Sequence, residues 1–411
     1  MGATMRTFCC FCLIFVLAPT AYAQKQGDKI VVISADRAEL RANETVTGTV
    51  ARGNRLRVDD VNGDWFWVKY SNGNGKHVAG WIHRDYIMPH KPISKVIDFF
   101  TASIQKKPTA YDYQVRGMLW SDKGEYDIAI ADYNESIRLD PKQDDAWNNR
   151  GLAWYRKREY DKAIKDYDEA LRIDPKCELA WNNRGLIWKD KGEYDKAIKD
   201  YDEALRLDPK FVIAWNNRGD IEREKGNYDK AIKYYGEVIR LDPKNIDGWN
   251  NRGYIWKLKK KYENAIQDFT EVLRLDPENV YAWNSRGFCS RRTGKYYNAL
   301  NDYNKALKID SKNDETLNDR AWIYATCPNE IFRDGKQAIK DAKQACELSN
   351  WKDHRFVDTY GAALAEAGRF DEAIKQIEKA MSLDADYAKE TAPKMLKLFK
   401  AKQPYREELK N

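Results

Sequence analysis

The pentapeptide Trp-Asn-Asn-Arg-Gly occurs at residues 147–151 and returns at 181–185, 215–219 and 249–253. It carries the groups of this chain best placed for recognition. Asn148 and Asn149, Asn182 and Asn183, Asn216 and Asn217, Asn250 and Asn251, with Asn284 at a fifth equivalent position, each offer a donor and an acceptor. A row of such amides can grip the backbone of an extended peptide without reading its sequence. Asparagine costs about 0.5 kcal/mol relative to alanine inside a helix, so two in succession across four copies cost about 4 kcal/mol. A peptide-holding ladder would compensate for that cost. Amides tying adjacent copies together would do so equally well, and near-identity of the copies is also what recent duplication leaves behind.

Other chemistry is poorly supplied. The sequence has no Gly-rich phosphate loop, His-Glu-x-x-His helix, Cys-x-x-Cys pair or Gly-x-Ser-x-Gly elbow. Carboxylates recur in the pattern "DKAIKDYDEALRLDPK", beside opposite charges four residues away, which marks solvated helix faces rather than acid–base pairs. His77, His83 and His90 stand six and seven apart, but no clustered cysteine or carboxylate joins them as a metal site. No catalytic residue, metal or cofactor is expected, and the chain reads as non-enzymatic.

The elements that position these residues are legible in the period. Trp147, Trp181, Trp215, Trp249 and Trp283 are 34 residues apart. Gly151, Gly185, Gly219, Gly253 and Gly287 follow each by four, and Tyr160, Ala163 and Pro175 head three further series at the same period. Small residues let two antiparallel helices approach, aromatics fill the space between neighbouring pairs, and proline ends the second helix. Such pairs cannot bury an apolar face alone and must stack.

This pattern resembles the tetratricopeptide repeat, with small residues at positions eight, twenty and twenty-seven and proline at thirty-two. Eight repeats begin at Ala110, Asp144, Glu178, Val212, Ile246, Val280, Asp314 and His354. The seventh departs from the pattern: Leu317 replaces Trp, Ala321 replaces Gly, and "ATCPNEIFRDGKQA" lengthens its turn. Residues 93–108 resemble a lone second helix that caps one end, and residues 388–403 read as one closing helix after the repeats of 110–387. The resemblance implies an α-solenoid whose first helices line a concave surface through positions two, five, six, nine, twelve and thirteen. Asparagines occupy five and six. Selectivity would come from position nine (Leu152, Leu186, Asp220, Tyr254, Phe288) and position twelve (Tyr155, Lys189, Arg223, Lys257, Arg291), whose basic and aromatic later members favour an acidic partner. The arginine of the pentapeptide stands where the family has leucine, on the buried side, and a buried guanidinium needs a partner. Aspartate at position twenty-three supplies it: Arg116 with Asp132, Arg150 with Asp166, Arg184 with Asp200, Arg252 with Asp268, Arg286 with Asp302 and Arg320 with Asp341. Arg218 faces Tyr234 and is the exception.

Residues 29–88 alternate with period two in "KIVVIS", "RLRVDDV" and "DWFWVKY", punctuated by Asn-Gly and Gly-Asn turns. With Gly48, Gly53, Gly63, Trp65 and Gly80-Trp81-Ile82 at their places, they resemble a bacterial Src-homology-3-like barrel. That resemblance implies a binding module of the cell envelope, with Trp65, Trp81 and Tyr86 as candidate ligand contacts. The fold class is therefore mainly α: a solenoid of about eight tetratricopeptide repeats behind a small all-β barrel.

Arg6, the ten-residue apolar run Phe8–Leu17 and Ala21-Tyr22-Ala23 read as a secretory signal peptide over residues 1–23. The run is shorter than the ~20 residues of a spanning helix. Its removal leaves Cys177, Cys289, Cys327 and Cys346, which read as buried single thiols. The charge of +7, spread evenly among 33% charged residues, does not suggest nucleic acid. The sequence thus describes a secreted or periplasmic scaffold or adaptor that binds a protein or peptide segment, with the cell wall as a further partner and no membrane span. The alternative is an accessory subunit of a cell-wall-acting enzyme, targeted by the barrel.

Overall fold

The computed structural model describes residues 93–390 and 392–408 and, between residues 29 and 89, the backbone of seven strands. The segment expected as a signal peptide lies outside the described residues, as do the side chains of Trp65, Trp81, Tyr86, His77, His83 and His90. The strands are β1 (Lys29–Ile33), β2 (Arg37–Ala42), β3 (Thr45–Ala51), β4 (Arg55–Asn62), β5 (Trp65–Asn72), β6 (Lys76–His83) and β7 (Ile87–Pro89). They pair antiparallel in the order β3-β2-β6-β5-β4-β1-β7, with Trp67 opposite Trp81 and Trp65 opposite His83.

The chain forms two compact parts, one ending at Ala214 and one starting at Trp215. The helices of the first are α1 (Ile93–Lys106), α2 (Ala110–Asp122), α3 (Tyr126–Leu139), α4 (Asp144–Arg156), α5 (Tyr160–Ile173), α6 (Glu178–Asp190) and α7 (Tyr194–Leu207). Helix α8 (Val212–Glu224) starts at the division. The second part continues with α9 (Tyr228–Leu241), α10 (Ile246–Leu258), α11 (Tyr262–Leu275), α12 (Val280–Arg292), α13 (Tyr296–Ile309), α14 (Asp314–Thr326), α15 (Gly335–Leu348), α16 (His354–Glu366), α17 (Phe370–Leu383), α18 (Ala385–Glu390) and α19 (Ala392–Lys400). The first helix of every repeat starts at the residue where the sequence period places it.

Local chemistry sets these boundaries. Asn245, Asn279 and Asn313 cap α10, α12 and α14, each side chain accepting a backbone N–H three residues on, which satisfies a donor the first turn leaves unpaired. Position fifteen closes the turn between the two helices of a repeat with a positive φ, 74–81° at Gly124, Gly192, Gly226, Gly294 and Gly368. Arg158 and Lys260 hold the same turn at 62° and 59°, where a side chain is strained.

Within a repeat, the glycine at position eight makes room for a fully buried tyrosine of the second helix. A Cβ on Gly151 would lie 2.9 Å from the Tyr167 ring, and one on Gly185 2.7 Å from Tyr201. Helix α1 packs Val96, Ile97 and Phe100 against Val115 and Leu119 of α2. In the seventh repeat the lengthened turn carries a short 3-10 helix at Glu330–Phe332, with the Phe332 ring against Tyr296. The closing segment differs from the single helix expected over 388–403. It is two helices, because Pro393 cannot continue a helix but fits the first turn of a new one, and α19 sends Met395 and Phe399 into the core around Ile377 and Leu364. The four cysteines Cys177, Cys289, Cys327 and Cys346 are buried thiols, and burial pushes the Cys289 thiol up to about 12. No described helix is long and apolar enough to cross a membrane.

Candidate functional site

Most residues of the recurring pentapeptide have a structural partner, although Asn148 Nδ2 and Asn250 Oδ1 are buried without a hydrogen bond. The indole of Trp147 donates to the Pro141 carbonyl at 3.1 Å, and those of Trp181, Trp249 and Trp283 repeat the bond to Pro175, Pro243 and Pro277. The following arginine lies on that indole face, with 4.7 Å from guanidinium to ring centroid at Arg150–Trp147 and at Arg184–Trp181. All six expected Arg–Asp pairs form, and all are bidentate: Arg184 donates to Asp200 through Nε at 2.8 Å and Nη2 at 2.7 Å, and Arg116, Arg150, Arg252, Arg286 and Arg320 do the same to their aspartates.

The remaining prong of the fork reaches back into the preceding helix, fifteen residues for Arg116 and sixteen for four others. Arg116 meets Thr101, Arg150 meets Asn134, Arg184 meets Asp168, Arg286 meets Thr270 and Arg320 meets Asn304. Burial works against the Arg184 charge, but Asp200 and Asp168 outweigh it and raise its pKa. For the carboxyl the balance is reversed: burial pushes Asp200 up further than Arg184 pulls it down. Arg218, with Tyr234 opposite, pairs instead with Glu222 on its own helix at 2.7 Å and lies over the Tyr234 ring.

The asparagines depart from the exposed row that the repeat positions imply. Asn148, Asn149, Asn182 and Asn183 are buried, at 0, 3, 2 and 5% exposure, while Asn216, Asn217, Asn250, Asn251 and Asn284 are half-buried. The amides bond across neighbouring first helices. Asn183 Nδ2 donates to Asn148 Oδ1 at 3.2 Å, Asn251 Nδ2 to Asn216 Oδ1 at 3.1 Å, and Asn284 Nδ2 to Asp319 Oδ2 at 3.2 Å. Position six of one repeat thus reaches position five of the one before, and these bonds offset the helix-propensity cost. Of the compensations the sequence allows, the structure carries the tie between repeats.

Positions two, nine and twelve behave differently, because they vary from repeat to repeat. In the second compact part, Lys257 Nζ lies 5.3 Å from the Tyr254 ring and 5.6 Å from those of Tyr281 and Phe288. Burial pulls its pKa down, and Tyr281 is 46% exposed. One repeat on, Arg291 lies over the Phe288 ring at 5.2 Å. Its neighbour Arg292 shares its approach to Glu407 of the segment after α19. In the first part, position twelve holds Tyr155, whose hydroxyl donates to Asp190 at 2.9 Å, so that position is used between repeats. The first-helix face of α10, α12 and α14 can therefore supply cations framed by aromatic rings, a chemistry that suits carboxylates.

Family models described as tetratricopeptide repeat match residues 144–177, 180–246, 246–279, 280–313 and 358–387, and one described as TPR repeat matches 121–158. No curated protein matches the chain. Among solved structures, the C-terminal part of a TPR repeat-containing protein from Cytophaga hutchinsonii is 21% identical, with a TM-score of 0.50 over 59% of this chain and 97% of that one. PilF of Pseudomonas aeruginosa is 17% identical, with a TM-score of 0.46 over 50% and 94%. YrrB, described as a TPR protein with an unusual peptide-binding site, is 19% identical, with a TM-score of 0.40 over 45% and 95%.

Proposed function

We propose that this chain, whose helix pairs are tetratricopeptide repeats, is an exported, non-enzymatic scaffold of the bacterial cell envelope that holds an extended protein segment on its first helices. Tetratricopeptide proteins generally mediate protein–protein interaction and peptide binding. The observation that carries the reading for this chain is the division of labour between positions. Most of the pentapeptide residues that recur are engaged by bonds within and between repeats. Lys257 with Tyr254, Tyr281 and Phe288 forms a variable cluster of one cation among three rings. Such a cluster favours a partner that brings a carboxylate, because the rings exclude water and strengthen the charge interaction.

Export is supported by the leader pattern of residues 1–23, and the envelope assignment by the resemblance of residues 29–88 to a Src-homology-3-like barrel, with Trp65, Trp81 and Tyr86 as its ligand contacts. Selecting peptides from a random library against the full chain tests the binding reading. Enriched peptides should be acidic and should bind Lys257→Glu or Phe288→Ala at least about ten-fold more weakly, one tenfold being 1.4 kcal/mol, with unchanged circular dichroism. Failure to enrich any peptide, or equal binding by both variants, would overturn it. N-terminal sequencing of protein from cells tests export: a mature chain starting at Gln24 is expected, and a retained Met1 would refute it.

A further inference from the structure

After α19 the chain reverses at Lys402, a non-glycine residue with φ of 56°, and residues 403–408 run back across the first helices of the last three repeats. The contacts are specific. The Tyr405 ring lies 5.8 Å from that of Trp322. Arg406 Nη1 pairs with Glu366 Oε2 at 2.7 Å and donates to the Ala325 carbonyl at 3.3 Å. The Glu407 backbone N–H donates to the Thr326 carbonyl at 2.9 Å. Its carboxylate accepts from Arg291 Nη1 at 2.5 Å and lies 3.7 Å from Arg292 Nη1. Glu407 and Arg291 are 6% and 8% exposed. Arg291, Arg292, Trp322, Ala325, Thr326 and Glu366 hold positions nine, twelve and thirteen of α12, α14 and α16, and the resemblance gives those positions to a ligand.

A segment that only closed the core would bury apolar side chains, as Met395 and Phe399 of α19 do. Residues 405–407 instead place an aromatic, a cation and an anion on an aromatic, an anion and a cation pair, with a main-chain hydrogen bond between. That is how an extended peptide is read. Without the segment, Arg291 and Arg292 would lose the carboxylate they share and only Asp319 would remain near Arg291, an arrangement of two cations that favours an incoming anion.

We propose that residues 403–408 are a built-in pseudo-ligand: they occupy a site on α12, α14 and α16 that takes an extended partner segment with aromatic, basic and acidic residues in succession, and a partner binds by displacing them. The proposal rests on the peptide-binding reading above and adds the order of ligand side chains and the competition. Tethering gives the segment a millimolar effective concentration, so the intact chain responds only to partners that are abundant or tighter than its own segment.

The test uses the full chain and a dye-labelled synthetic peptide of residues 401–411 added in trans. Wild type is compared with Tyr405→Ala/Glu407→Arg and with the milder Glu407→Gln, folding being checked by circular dichroism. Both variants should bind the peptide, the double variant at least about thirty-fold more tightly than wild type, the loss expected for a charge pair and its tether. A peptide carrying arginine for glutamate should not bind. Equal binding by wild type and variants would overturn the competition while leaving a peptide site. Binding of library-selected peptides but not of the 401–411 peptide would overturn the pseudo-ligand and spare the wider reading. Binding of neither would overturn both.

Discussion

Replacing Asp200 with alanine isolates one Arg–Asp fork whose outer prong ends on a second carboxylate. The Arg184 side chain is 19% exposed and Asp200 6%, whereas Asp168, on the third prong, is 53% exposed. Breaking a buried ion pair by removing one partner costs about 3–5 kcal/mol. Here a fifth of the guanidinium still meets water and Asp168 remains, so a loss of about 2–3 kcal/mol is expected. Asp168→Ala removes an exposed carboxylate and should cost under about 1 kcal/mol. Arg184→Leu with Asp200→Leu removes both charges and should recover to within about 1 kcal/mol of wild type, since an apolar replacement leaves nothing unpaired. Urea denaturation followed by far-ultraviolet circular dichroism ranks the three. Because repeat arrays unfold in parts, amide exchange of α6 and α7 locates the loss. Equal effects of Asp200→Ala and Asp168→Ala, or a double variant no better than Asp200→Ala, would refute the assignment of stability to the inner pair.

Arg158→Gly and Lys260→Gly should each stabilise by about 1 kcal/mol, because both residues sit at positive φ at a strain of about that size, and chemical denaturation reads both. Gly151→Ala should cost about 1–3 kcal/mol by driving a methyl into the Tyr167 ring, and a smaller loss in Gly151→Ala/Tyr167→Leu than in the sum of the singles would show that the two positions are in contact. Asp358 is held by burial with its pKa raised to about 7, while Tyr387 pulls the other way. Its folded value exceeds the unfolded one, so its contribution is complete below about pH 4 and lost as pH rises through 7, by up to about 4 kcal/mol for a three-unit shift. Asp358→Asn should flatten that part of the stability–pH curve between pH 5 and 8, and an unchanged slope would count against the buried acid.

What sequence could reveal followed from repetition. Five aspartates sixteen residues after their arginines, and a sixth moved to twenty-one by the lengthened turn of the seventh repeat, are visible because the copies repeat the combination, and all six pairs form. Arg218 and Glu222 were invisible for the opposite reason: a single i,i+4 pair looks like any solvated helix pair, and only the absence of aspartate at 234 hints that the guanidinium must look elsewhere. The sequence leaves a peptide ladder and a tie between repeats equally open for the asparagines, because repeat position alone does not reveal that amides on adjacent first helices are close enough to bond. The paired strands of residues 29–89 were legible in period-two alternation. The two closing helices were not separated, although Pro393 was the available signal. The docking of residues 403–408 involves one unrepeated segment and a separation of 116 residues between Arg291 and Glu407, which no periodicity records. The one trace of it is Arg291 beside Arg292 at ligand-facing positions with no acidic residue on their own helix.

The backward-reaching prong of each fork also gives the array a mechanical grain. Arg116, Arg150 and Arg184 each clamp the last helix of the preceding pair to their own. Pulling the first compact part from one end therefore loads one clamp at a time, while those further along stay shielded. Each rupture would release one 34-residue repeat, about 12 nm of extended chain at ~3.5 Å per residue. Arg252 has Gly236, without a side chain, where its sisters find an oxygen. That joint lacks its clamp, as does the one before α16, where Tyr360 stands in place of the arginine, and under tension these two are where the second part should yield, fuses set by single side chains.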